Sequence, residues 1–183
     1  CLVGSEMCIR DRCAFSATEA FLNAENKEKL LISAVFDNEE VGSLTKQGAD
    51  STFLTDTVRR IASALNIPEA EWLRKMPDSF MLSADNAHAV HPNYTEKCDQ
   101  TNRCYLNGGI VIKYNANQRY TTDAVSGAVF QAICQEAGVP VQRYSNRADL
   151  PGGSTLGNIS TAHLSVPTVD IGLPQLAMHS VCE

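Results

Sequence analysis

Positive charge is scarce in this sequence: 15 Lys and Arg stand against 21 Asp and Glu in 183 residues, a formal net charge of −6. No stretch is dense enough in Lys and Arg to form the basic patch that a nucleic-acid surface needs, so a nucleic-acid partner is not expected. Long hydrophobic runs are also missing. None approaches the length of about 18 apolar residues that marks a membrane span, and no membrane partner is expected. Cysteine is too sparse for a disulfide scaffold. There are seven, an odd number, and no CxxC spacing among them. Reduced thiols are expected and a structural cysteine-zinc site is not. Internal repeats, low-complexity segments and linkers are absent, so one domain is expected. What remains is the balance of a globular chain, 44% hydrophobic and 20% charged, which excludes a disordered tail, a collagen-like fibre and a coiled coil.

The ends need separate treatment. Residues 1–12 read CLVGSEMCIRDR and show no helical or strand period. The segment is too short and too charged for a signal peptide. It resembles translated sequencing-adapter sequence, and we set it aside as non-native, with a native start at Cys13 and the domain over 13–183. The chain stops at Cys182-Glu183 just after a loop-like segment. Both ends read as cut, and the chain as part of a larger domain.

Several elements are legible. Leu30 to Phe36 is a short continuous apolar run, predicted to be a strand buried on both faces, ending in Asp37-Asn38-Glu39-Glu40. A helix is predicted from about Ser51, with Leu54, Val58, Ile61 and Leu65 in one stripe and Pro68 beyond its end. Phe80 to Ala84 reads as a strand ending in Asp85, and Ile110 to Tyr114 as another. A helix is predicted from about Thr122 to Ala137, with Val125, Val129, Ala132 and Ile133 on one face and Gly138 as its stop. Val139 to Tyr144 reads as a strand. Pro151-Gly152-Gly153 reads as a tight loop before a helix near Ser154 to Leu164. Val166 to Ile171 reads as the last strand, broken by Gly172-Leu173-Pro174. Alternating strands and helices predict an α/β fold: a mixed, mainly parallel sheet with helices on both faces.

In such sheets ligands bind beyond the carboxyl ends of the strands. Glu39 and Glu40 follow one predicted strand, Asp85 follows another, and His179 lies after the last. Carboxylates gathered at one edge repel each other unless a cation neutralises them. Asp, Glu and His are oxygen and nitrogen ligands that suit zinc. A pair of metal ions can lower the pKa of a shared water to about 7, and a carboxylate that binds no metal can then take its proton. Adjacent Glu side chains in an extended turn diverge, which suits a division of labour between Glu39 and Glu40. Each residue alone has a plainer reading, as a solvated turn, a helix cap or a structural histidine.

The wording around these residues is more specific. Phe36-Asp37-Asn38-Glu39-Glu40-Val41-Gly42-Ser43 resembles the catalytic-Glu motif of the M18 metallopeptidases, the aspartyl aminopeptidase family. Ser83 to Tyr94, SADNAHAVHPNY, is similar to that family's second metal motif. Ile112-Lys113, Asn115 and Gln118-Arg119-Tyr120-Thr121 match another stretch. Pro174 to Ser180, PQLAMHS, is similar to its C-terminal metal motif. The motifs keep their order from about Cys13 to the end. The resemblance implies a zinc-peptidase-like fold and an aminopeptidase with two zinc ions (Zn2+), which hydrolyses peptides at N-terminal, acidic residues. It implies Glu39 as general base, Glu40 and His179 on one zinc, and Asp85 on the other. The family's upstream His and bridging Asp have no counterpart here, so the chain alone is expected to be an inactive fragment. A cytoplasmic location (vacuolar in some relatives) and a homo-oligomer, a dodecamer when full-length, are also implied.

Other positions stay open. Gly152 and Gly153 could aim backbone N–H groups at a substrate carbonyl, or merely supply a turn. His88 could touch substrate or make a structural hydrogen bond. Lys113 interrupts an apolar strand; it could meet the acidic side chain of a substrate, or be an edge-strand Lys reaching solvent. His91 and Tyr94 read as loop packing and His163 as structural. Cys182 lies three residues from His179, but a nucleophilic thiol needs a free base and the metal claims that histidine. The alternative is a non-catalytic scaffold or cargo protein of the same fold, which the intact Glu39, Glu40, Asp85 and His179 speak against.

Overall fold

The computed structural model describes residues 7–26, 28–150 and 152–178. Its elements in chain order are α1 (Met7–Asn23), α2 (Phe53–Ala64), α3 (Glu69–Lys75), β1 (Met81–Ala84), β2 (Ala87–His88), β3 (Ile110–Tyr114), α4 (Ala124–Glu136), β4 (Val141–Ser145), α5 (Leu156–His163), β5 (Thr168–Gly172) and β6 (Pro174–Gln175). α1 begins inside the segment that the sequence reading sets aside. Among the described residues no helix is long and apolar enough to cross a membrane.

Four strands form the main sheet in the order β1-β5-β3-β4. β1 and β5 run parallel, as do β3 and β4, while β3 and β5 meet antiparallel. A small parallel ladder joins β2 to β6. The expected mixed, mainly parallel sheet is therefore present. The strand predicted to stop at Gly172 instead includes it, and the chain resumes pairing at β6.

Alternation along the strands gives the sheet two unlike faces. On one, Ile112, Val169 and Ile171 pack with Phe130 and Cys134 of α4, flanked by Ala84, Ile110, Tyr114 and Val141. On the other lie Ser83, Lys113 and Asp170, all buried and all polar. Thr155, the N-cap of α5, hydrogen-bonds the Asp170 carboxylate from that side. α4 and α5 thus cover opposite faces.

Two expectations need correction. The run from Leu30 to Phe36 is not a strand. Leu30, Leu31, Ile32 and Val35 stand exposed. Apolar composition supplies a strand's side chains but not the neighbouring strand that its backbone N–H and C=O groups require. The second correction concerns α4. Val125, Val129, Ala132 and Ile133 do share a face, but that face is exposed, and Ser126, Gly127, Phe130 and Cys134 are buried instead. Small residues let the helix approach the sheet: a Cβ on Gly127 would lie 2.2 Å from the Tyr114 hydroxyl. α4 starts in a capping box, with Ser126 N–H donating to Asp123 Oδ1 at 2.7 Å and Asp123 N–H to Ser126 Oγ at 3.0 Å. It stops at Gly138, which takes a φ of +69°, as its sequence position predicts.

Candidate active site

Asp85 leaves the carboxyl end of β1. Its backbone N–H donates to the Ile171 carbonyl at 3.1 Å, so it departs beside the end of β5. A Cβ on Gly172 would lie 2.1 Å from the Asp85 carbonyl oxygen, so only glycine admits this close passage. The carboxylate is held from two sides. Oδ1 accepts the Asn86 N–H at 2.7 Å, and Oδ2 faces Lys113 Nζ at 3.8 Å. The Asp85 side chain keeps 16% exposure, enough for access from outside.

Lys113 is only 3% exposed. It lies on β3, which is enclosed between β5 and β4. The reading of an edge-strand Lys reaching solvent is therefore wrong. An ammonium buried this deeply needs compensation. Asp85 supplies charge, and the Tyr120 ring, with its centroid 5.7 Å from Nζ, supplies a π face. Tyr120 donates to Asn146 Oδ1 at 3.3 Å. Burial, and then Asp170 and Asp85, push its phenol up to about 12. It stays a neutral donor.

Asp170, fully buried on β5, is the residue that sequence reading missed. Its Oδ2 accepts Thr121 N–H at 2.6 Å and Thr121 Oγ1 at 2.8 Å, and its Oδ1 accepts Thr155 Oγ1 at 2.7 Å. Its own N–H donates to Thr122 Oγ1 at 2.8 Å. One carboxylate thereby ties the loop after β3, the start of α5 and the centre of the sheet together. The signal was available: an acid within an apolar strand carries the same warning as Lys113.

His88 sits on β2 and is partly exposed to solvent. The surrounding bulk and then Lys113 lower its imidazole below the ordinary value, with Asp85 pulling the other way. Beneath it, Asn86 Nδ2 donates to Gln175 Oε1 at 2.8 Å, and both residues are buried. Cys13 Sγ reaches Asn86 Oδ1 at 3.5 Å. Its thiol is raised, chiefly by burial, so it is held protonated and is a poor nucleophile.

Glu39 and Glu40 lie not in an extended turn after a strand but in a single 3₁₀ turn, Glu39–Val41. Asn38 with φ 58° and Gly42 with φ 97° bracket it. Successive side chains there still diverge, by about a third of a turn. Glu40 is exposed and Glu39 half-buried. His179 lies outside the described residues, as do Pro151 and Cys182. Among the described residues no group of three His, Cys, Asp or Glu gathers into a cluster able to hold a metal. What the fold brings together is Asp85, Lys113 and His88.

Gly152 and Gly153 precede α5 without positive φ. A Cβ on Gly152 would come 1.5 Å from Asn146 Nδ2, while the space beside Gly153 is open. Proximity to Asn146, not a turn conformation, accounts for the first glycine. His91 and Tyr94 pack as expected, with ring centroids 5.2 Å apart. His163 Nε2 meets Asp50 Oδ1 at 2.7 Å, tying the end of α5 to the loop before α2. The donor chemistry at Asp85 suits a divalent ion. Its carboxylate is an oxygen ligand of the kind zinc accepts, partly exposed, with Oδ2 shared with the Lys113 ammonium.

The chain superposes on a structure described as the Ape4 and Nbr1 complex with TM-score 0.84 and 39% identity, over 95% of this chain and 34% of that one. It superposes on the S. cerevisiae mApe1 dodecamer with TM-score 0.77 and 28% identity, over 94% and 39%. The fold is that of the solved M18 aminopeptidases. The family model described as "Aminopeptidase I zinc metalloprotease (M18)" matches residues 2–183, and the chain belongs to that family. A probable M18 family aminopeptidase 2 of Clostridium novyi is 50% identical over 168 residues, covering 92% of this chain and 39% of the relative. The chain thus spans about two fifths of the length of such relatives.

Proposed function

We propose that this chain is the C-terminal part of an M18 aminopeptidase catalytic domain. The longer protein containing it would hydrolyse N-terminal residues from peptides with two zinc ions. One observation carries the reading: β1 and β5 pair in parallel, so Asp85 and the segment leading to His179 leave the sheet at the same end.

Asp85 would hold one zinc, and Glu40 with His179 the other. Bound zinc supplies Lewis acidity that makes water a nucleophile at neutral pH. Glu39, which binds no metal in this reading, takes the proton of the attacking water and passes it to the leaving amine. Lys113 offers its ammonium to the acidic side chain of the substrate's first residue. What supports that role is its position, with Nζ 3.8 Å from Oδ2 of Asp85, the proposed zinc ligand. His88 and the N–H groups of Gly152 and Gly153 would border the scissile carbonyl. The relative solved as a dodecamer supports a homo-oligomer. A cytoplasmic location is proposed with it.

Full-length protein should release Asp or Glu from a chromogenic substrate. Glu39→Gln should lower kcat by at least about 100-fold, and retained activity in that variant would overturn the base assignment. Lys113→Met should raise KM for acidic substrates and leave neutral ones little changed; equal losses for both would remove Lys113 from specificity. The 183-residue chain alone should be inactive.

A further inference from the structure

We infer that the buried Asn86–Gln175 side-chain hydrogen bond is a positioning clamp, which sets the spacing between the chain segments carrying Asp85 and His179. The inference rests on the metal reading above but concerns residues to which that reading gives no role.

Asn86 directly follows Asp85, and its own N–H is bonded to the Asp85 carboxylate. Gln175 lies four residues before His179. The two side chains are 89 residues apart in sequence, yet Asn86 Nδ2 donates to Gln175 Oε1 at 2.8 Å. They are 1% and 0% exposed. The backbone joins these segments too: Asp85 N–H donates to Ile171 O, which carries the β1–β5 pairing on into the β2–β6 ladder. The β2–β6 ladder is two residues long on each side, Ala87 opposite Pro174 and His88 opposite Gln175. Its flanking bonds run from Ala87 N–H to Leu173 O and from Ala89 N–H to Gln175 O, both 2.8 Å. These backbone bonds fix the register, and the buried Asn86–Gln175 bond ties the two segments through their side chains as well.

A second observation points the same way. Gln175 Nε2 is buried and meets no hydrogen-bond partner among the described residues. A buried donor without a partner is costly, so its retention calls for a use that an apolar residue of the same shape could not serve. Holding the Asn86 amide is that use, because Oε1 and Nε2 come as one group.

Outer partners of metal ligands typically alter affinity by about 10- to 100-fold when removed. In full-length zinc-loaded protein, Gln175→Met keeps the side-chain shape and deletes the acceptor. Zinc affinity, measured by competition with a chelator, should fall at least about tenfold. Asn86→Leu should act alike, and the double variant should be no worse than the weaker single. Ser126→Ala, which removes a buried cap hydrogen bond on α4, is the control. It should lower thermal stability and leave zinc affinity unchanged. Unchanged affinity in Gln175→Met, additive losses in the double variant, or an equal loss in Ser126→Ala would each overturn the clamp. Where Gln175→Met does not fold, Gln175→Glu carries the test. It keeps the acceptor and should hold zinc within about threefold of the parent; a loss of about tenfold or more overturns the proposal. Asp85→Ala separates the two readings. Zinc lost there but kept in Gln175→Met refutes the clamp alone, whereas zinc kept in Asp85→Ala refutes the metal assignment beneath it.

Discussion

Two regions carry proposed site residues, and they are built in opposite ways. Asp85 stands where β1, β5, β2 and β6 converge, held by backbone ladders, a buried amide pair and an ion pair. Glu39 and Glu40 stand on a 3₁₀ turn after an apolar run whose side chains face outward. Both motifs are equally easy to recognise in sequence. Local wording therefore says which chemistry a segment can do, while the segment's conformation depends on neighbours far away in the chain.

The contrast can be tested by substitution, from the largest effect to the smallest. Asp170→Ala removes the acceptor for three donors at the centre of the ordered region. It should destabilise the protein by about 3 kcal/mol or more in urea unfolding. A loss below about 1 kcal/mol would mean that the polar face is not the better-held region. Gly172→Ala places a Cβ against the Asp85 carbonyl. Backbone must shift there, and we expect a loss of about 2 kcal/mol together with weaker zinc retention.

Asp123 lies outside both regions and calibrates them. The Ser126 N–H holds its carboxyl below the ordinary value. A depressed folded-state pKa contributes stability above the ordinary carboxylate pKa, and that contribution is lost as pH falls through the folded value. Asp123→Ala should thus cost about 1 kcal/mol near neutral pH, with the difference from the parent shrinking in acid. A constant difference down to strongly acidic pH would contradict the cap. Leu31→Ser and Val35→Ser should change the stability of this chain by less than about 0.5 kcal/mol. Amides 30–36 should exchange with deuterium far faster than those of Thr168–Gly172. Slow exchange in both stretches would erase the contrast.

Much of the β1–β5 region was legible beforehand. Phe80 to Ala84 and Ile110 to Tyr114 read as strands because they are short apolar runs with clear breaks beside them, and Gly138 marked its helix end by its conformational freedom. Lys113 stood out as a charge in an apolar strand, and its burial rules out an edge-strand Lys reaching solvent. Asp170 had the same signature but no motif around it. The outward face of α4 could not be read. Both faces of that helix are largely apolar, and the choice between them rests on Gly127 passing close to Tyr114. The pairing of β6 with β2 was equally hidden, since two-residue strands carry no period.

By itself, the amino-acid order determined the alternation of helices and strands, the ordered motifs at Glu39, Asp85 and His179, and with them the family. These follow from short-range periodicity and from residue chemistry, both written locally. Only the tertiary structure decided that Lys113 is enclosed beside Asp85, that Asp170 joins three elements, and that Asn86 meets Gln175 across 89 positions. Such contacts depend on which strands become neighbours and in which direction they run. That choice is made by the packing of the whole chain, and no single stretch contains it.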